Sequence, residues 1–79
     1  NPFNPITTIE FSIPKEGLIK LVVHDIAGRE VKKILDNVNY NSGSHKVRFS
    51  GYGMSSGVYF YSLFADGRRI ETKKMIIIY

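Results

Sequence analysis

The side chains in this chain best suited to moving a proton or holding a metal are its two histidines, His24 and His45. They fall on different extended segments. A zinc site needs three or four convergent donors, and no spacing here supplies them. The chain has no cysteine, so thiolate ligands and disulfides do not arise. His24 and Asp25 are adjacent, so on a strand they point to opposite faces and cannot form two arms of a triad. The serines lie mainly in turns, and none occupies a Gly-x-Ser-x-Gly elbow. Gly51-x-Gly53 is not followed by a helical pattern, so it is no phosphate cradle. The seven acidic residues are scattered singly, without the pair that glycoside hydrolysis uses. The expectation is a non-catalytic chain with no metal and no cofactor.

Length and charge narrow the classes further. Seventy-nine residues make one domain, 1–79, in which 1–5 reads as a lead-in from an upstream linker. A domain this small buries only about 60% of its unfolded surface, so its stability margin is thin. There is no initiator methionine, no signal peptide and no apolar run near the ~20 residues of a membrane span. The chain therefore reads as a piece of something longer that does not insert in a membrane. The formal charge is +4, but the eleven cations are spread out and no run exceeds two. That is the pattern of a solvated β surface with edge lysines rather than of a nucleic-acid binder.

The elements that would position these side chains are strands. Asn1-Pro2-Phe3-Asn4-Pro5 is stiff, because the residue before each proline is pushed to extended geometry. Thr7 to Ile13 alternates, with Thr7, Ile9, Phe11 and Ile13 on one face. Pro14-Lys15-Glu16-Gly17 carries turn chemistry. Leu18 to His24 follows, with Ile19, Leu21 and Val23 on one face. Asp25-Ile26-Ala27-Gly28 reads as a type I turn that Gly28 closes in the left-handed region, with a bulge. Arg29 to Leu35 reads as the third strand, with Val31 and Leu35 inward. A helix is the alternative there, since Val31, Ile34 and Leu35 also fit a 3.6-residue period.

Asp36 to Gly43 is polar and turn-rich, and reads as the longest loop. Ser44 to Phe49 alternates, with His45, Val47 and Phe49 on one face. Ser50 to Ser56 is a glycine-containing crossover into Gly57 to Ala65, which is apolar on both faces and so central. Asp66-Gly67 suits a two-residue type I′ hairpin. In the last segment, Arg69 to Tyr79, Ile70 and Thr72 sit on one parity and Met75, Ile77 and Tyr79 on the other. A β-bulge at Lys73 or Lys74 would bring all five to one face. Tyr59, Phe60, Tyr61 and Phe64 lie on the central strand and read as core packing. Tyr40 and Tyr52, in loops, are the better candidates for exposed contact.

Six or seven short strands, turns every eight to twelve residues and no helix predict an all-β fold. The specific expectation is a small antiparallel immunoglobulin-like β-sandwich.

Several landmarks fall in a familiar order: Asn1-Pro2-Phe3-Asn4-Pro5 with Thr7, Ile9 and Phe11; Pro14-x-x-Gly17; Val23-His24-Asp25-x-x-Gly28-Arg29-x-Val31; Gly43-x-His45; Ser56-Gly57-Val58-Tyr59-Phe60-Tyr61-x-Leu63; and Lys73-Lys74-Met75-Ile76-Ile77. In these residues the chain resembles the C-terminal sorting domain of the type IX secretion system, type A subfamily. The likeness spans essentially the whole domain. His24-Asp25 stands where the family often has Tyr-Asp, and Phe49-Ser50-Gly51 where it often has Trp-Asp-Gly.

The resemblance implies an address label on an upstream cargo domain of the same chain, in a Gram-negative bacterium. It implies transit through the periplasm and recognition by the outer-membrane translocon. It further implies removal by a sortase-like peptidase, with the cargo ending at the cell surface or outside the cell. The residues expected to form the recognised face are Lys73, Lys74 and Met75, Ile76, Ile77, Ile78 and Tyr79, with Gly57, Val58 and Tyr59 behind them. Edge strands can be read by strand addition through main-chain hydrogen bonds. The alternative reading is a non-catalytic immunoglobulin-like accessory or spacer module of a secreted multidomain enzyme, with carbohydrate binding as a further option.

Overall fold

Segments that alternate apolar and polar side chains, or are rich in β-branched and aromatic ones, fold this chain into strands. The computed structural model describes residues 6–78, and among them there are six strands and no helix. They are β1 (Ile6–Ile13), β2 (Gly17–Asp25), β3 (Glu30–Tyr40), β4 (Gly43–Ser50), β5 (Gly57–Ala65) and β6 (Arg68–Ile77). The third segment is thus a strand and not the helical alternative. β1 and β4 form a two-stranded sheet; β3, β2, β5 and β6, in that order, form a four-stranded one. Every pairing is antiparallel. The lead-in at 1–5 lies outside the described residues.

The core is what the alternation dictates. Ile9, Phe11 and Ile13 of β1, with Phe49 of β4, face Ile19, Leu21 and Val23 of β2, Tyr59 and Leu63 of β5, and Ile77 of β6. Ile19, Leu21 and Val23 are wholly buried. Burying each such side chain stabilises the fold by about 1.5–3 kcal/mol, so this β2 stripe dominates a small core.

Phe60 and Phe64, expected in the core, stand half-buried on the outer face of the large sheet, because β5 turns Tyr59, Tyr61 and Leu63 inward. Three further expectations are corrected, all by β-bulges. The first concerns β3, which does not stop at Leu35. It runs on to Tyr40, so only Asn41 and Ser42 separate it from β4. Its ladder with β2 slips three times. The partners step from Val38 to Leu35 between Ile19 and Leu21, from Leu35 to Lys33 between Leu21 and Val22, and from Lys32 to Glu30 between Val23 and His24. Each slip inserts one extra residue and breaks the two-residue period. Asn37, near the first slip, has φ 57°, a left-handed value that Asn tolerates better than most residues. The bulge around Ile34 turns both Ile34 and Leu35 toward the core.

The second correction follows from the first. Val31, expected inward, is exposed. Tyr40, expected in a loop, ends β3 and packs edge-on against Phe11 with centroids 5.2 Å apart. Tyr52 is exposed, as expected.

The third correction concerns β6. The ladder opposite Tyr59, Phe60 and Tyr61 is regular, with Met75, Lys74 and Lys73 as partners. The bulge sits earlier, where Leu63 and Phe64 pair with Glu71 and Arg69 and Ile70 is the extra residue. Ile70 is therefore exposed, and Thr72 faces outward beside Ser62. Met75 and Ile77 reach the core in regular register, but the bulge lies upstream of Thr72, so Ile70 and Thr72 do not join them on that face.

Candidate recognition surface

β6 forms one edge of the four-stranded sheet, and its position starts at the hairpin before it. Asp66 and Gly67 have φ values of 51° and 83°, the two left-handed residues of a type I′ turn, which matches the twist of the flanking strands. From Glu71 to Ile77 β6 is in regular register with β5. Its outer side presents main-chain donors and acceptors to solvent.

The residues expected to form the recognised face divide. Gly57, Val58 and Tyr59 lie beside the end of β6 rather than behind it, paired with Ile77, Ile76 and Met75. Tyr59 and Ile77 are buried and belong to the core. The Tyr59 hydroxyl donates to the Ser55 carbonyl oxygen at 2.7 Å and fixes the crossover from β4. Val58, Ile76 and Ile78 are exposed, the last two at 58% and 66%. Val58 and Ile76 are cross-strand neighbours on the outer face. Lys74 stands beside Phe60 on that face, and Lys73 reaches toward Glu71 at 3.9 Å. Tyr79 lies outside the described residues.

The side chains first considered for chemistry are occupied locally. The Asp25 Oδ1 atom accepts from the Ala27 and Arg29 backbone N–H groups, each at 3.0 Å, and Oδ2 accepts from Arg29 Nε at 3.0 Å. The Gly28 N–H donates to the Asp25 carbonyl oxygen, and Gly28 has φ 86°. The Asp25 carboxyl is held below its ordinary range, first by the Arg29 backbone N–H, against a smaller opposing effect of desolvation. Asp25 is thus the clasp of the β2–β3 turn.

His24 points the other way. Its Nε2 lies 3.0 Å from Ser62 Oγ, and Ser62 Oγ lies 2.9 Å from Thr72 Oγ1, a side-chain relay across β2, β5 and β6. Nothing in the residue spacing announced it; only the strand order brings the three together. His45 Nε2 lies 2.7 Å from the Asn41 carbonyl oxygen, and its ring stands between Phe11 and Tyr40. Among the described residues no three His, Cys, Asp or Glu side chains are grouped so as to hold a metal ion. No helix among them is long and apolar enough to cross a membrane.

An all-strand sandwich with a regular outer β6 edge and an Asp–Gly–Arg turn clasp is the frame on which the family motifs lie. The family model for the secretion system C-terminal sorting domain matches residues 1–78. The chain belongs to that family. No curated protein and no solved structure matches it at a significant level.

The sorting domain is the C-terminal sorting signal of type IX secretion, and the family is not a catalytic one. Its membership implies interaction with the type IX machinery and export to the cell surface or the extracellular space. In the sorting domain the family landmarks are structural joints. Val23-His24-Asp25-x-x-Gly28-Arg29 builds the β2–β3 turn, and Gly57-Val58-Tyr59 aligns the end of β6.

Proposed function

We propose that this single domain is a passive label, which performs no reaction and binds neither nucleic acid nor bilayer. It labels an upstream cargo domain of the same chain, which it accompanies through the periplasm. The outer-membrane translocon reads the label on the β6 edge, and a sortase-like peptidase then separates label from cargo. The readable stretch is Lys73, Lys74 and Met75–Tyr79, with Val58 of the Gly57–Tyr59 segment continuing it onto the sheet face.

One observation carries this reading: the two edges of the large sheet are unlike. The β3 edge is interrupted by three bulges, whereas β6 runs in register from Glu71 to Ile77. A visiting strand needs a regular row of main-chain groups, which bulges remove. Lys73 and Lys74 place two positive charges on the open edge, where they discourage pairing between identical strands.

The test is a reporter fused to this domain in a type IX-competent cell. Ile76→Glu with Ile78→Glu, two exposed positions, or the pair Lys73→Glu and Lys74→Glu, should leave the reporter in the periplasm while circular dichroism of the purified variant still shows the folded sheet. Unchanged export by a folded variant of both kinds would falsify the edge reading.

A further inference from the structure

The outer face of the four-stranded sheet carries a groove that the edge reading does not use. It is an open depression of about 400 Å³ whose lining includes Lys20, Val22, Glu30, Ser62, Phe64 and Arg69. The ladders explain its make-up. Lys20, Phe64 and Arg69 form one row across β2, β5 and β6; Val22, Ser62 and Thr72 form the next; His24, Phe60 and Lys74 form the third. Val22 and Ser62 are buried and make the floor.

Charge on this face is net positive. The ladders place Lys20, Lys33, Arg69 and Lys74 on it, against two carboxylates among the described residues, Glu30 and the Asp36 that meets Lys33. Lys33 is partly shared with Asp36 at 3.9 Å. The aromatic rings are already engaged: the Lys20 ammonium sits 4.5 Å from the centre of Phe64, and His24 stacks on Phe60 at 6.0 Å. Stacking on a sugar or a base wants free ring faces, and here the protein's own side chains lie against them. What the groove offers instead is a floor of Val22 and Ser62 beside a row in which Lys20 and Arg69 flank Phe64. A ligand that fits must bring apolar side chains for Val22 and Phe64 and carboxylates for Lys20 and Arg69.

An extended peptide meets both demands. Its side chains repeat every second residue, about 6.6–6.8 Å apart, which is also the spacing of the outward side chains along β5. We infer that the groove between Lys20 and Arg69 docks an acidic, leucine- or valine-bearing extended segment of a partner protein. This contact lies on the sheet face and does not depend on strand addition at β6.

The experiment is a two-dimensional NMR titration of the 79-residue chain. The probe is a blocked eight-residue peptide, Ser-Glu-Ser-Leu-Ser-Leu-Ser-Glu, whose glutamates and leucines share one face of an extended strand. Saturable shifts are expected at Lys20, Val22, Ser62, Phe64 and Arg69. Affinity should fall at least about tenfold in Lys20→Glu with Arg69→Glu, and similarly when glutamine replaces glutamate in the probe. If the charge-reversed variant does not give a folded spectrum, Lys20→Gln with Arg69→Gln replaces it, with the same expected loss. The inference is overturned by absent or unsaturable shifts, or by equal binding of the glutamine peptide. It is also overturned if oligothymidylate of equal charge displaces the peptide as well as the peptide displaces itself, which marks a generic polyanion surface. Concentration-dependent shifts at the same residues without any peptide would give the groove to a second copy and overturn it equally.

Discussion

The Asp66 backbone N–H donates to the Leu18 carbonyl oxygen at 2.8 Å, and the Leu18 N–H donates back to Asp66 Oδ1 at 2.9 Å. This reciprocal pair pins the tip of the β5–β6 hairpin to the start of β2. Gly17 leaves room for it, since a Cβ there would stand 2.9 Å from Asp66 Oδ2. Gly17→Ala and Asp66→Ala should each cost about 1 kcal/mol, the worth of one such hydrogen bond. Because both remove the same bond, their combination should cost less than their sum. Urea unfolding of the two single variants and the double variant measures this. Strict additivity would show that the two changes act separately.

The β2 stripe should dominate stability. Leu21 is fully buried, so Leu21→Ala leaves a cavity and should cost about 2–5 kcal/mol. For a domain of this length that is a large share of the total. Val31→Ala, on the exposed bulge of β3, should stay within about 0.5 kcal/mol. Denaturant midpoints for the pair check the contrast, and equal losses would contradict the placement of Val31.

Asp25 gives a pH dependence of defined sign. Its carboxyl is held below the ordinary value of 3.8 in the folded state, first by the Arg29 backbone N–H. The unfolded chain therefore binds the proton more readily. The stabilisation is complete above the ordinary value and is lost as pH falls through the lowered one. Asp25→Asn lacks this contribution. The stability difference between wild type and Asp25→Asn should shrink on going from about pH 6 to about pH 2. A difference that stays constant over that range would mean the Asp25 charge does not stabilise the turn.

Ser62 is a buried polar side chain whose hydroxyl lies within bonding reach of both His24 and Thr72. Ser62→Ala should cost about 1 kcal/mol, a modest value because water can reach the partners it releases. NMR of the His24 ring should show its nitrogen environment change while that of His45 does not. An unaltered His24 signal would mean that the relay is not formed in solution.

How far the residues announced this architecture depends on where alternation survives. β1, β2 and β4 were legible because each keeps a two-residue rhythm on its core face, β5 because its aromatic run is apolar on both faces, and Asp66-Gly67 and Gly28 carry the backbone preferences of their turns. β3 was not, because three inserted residues scramble the rhythm and leave Asp36–Tyr40 looking like a polar loop. In β6 the parity conflict between Ile70 and Met75 pointed to a bulge that would turn Ile70 and Thr72 inward, whereas the bulge at Ile70 leaves both outside. The lysine pair looked the natural site, but Ile70 is the residue left over. The family landmarks located the exposed end of β6, yet three of the residues expected on its face, Tyr59, Met75 and Ile77, are packing residues. The His24–Ser62–Thr72 relay and the cationic groove arise from strand order, which no local pattern encodes.

The three slips in β3 have a consequence for assembly. A filament of stacked copies needs two compatible flanks on every unit, one to receive and one to offer. Here one flank of the large sheet is too irregular to accept a neighbour. Any strand that joins β6 therefore ends the series, and the label can be crowded at high copy number without polymerising through this sheet.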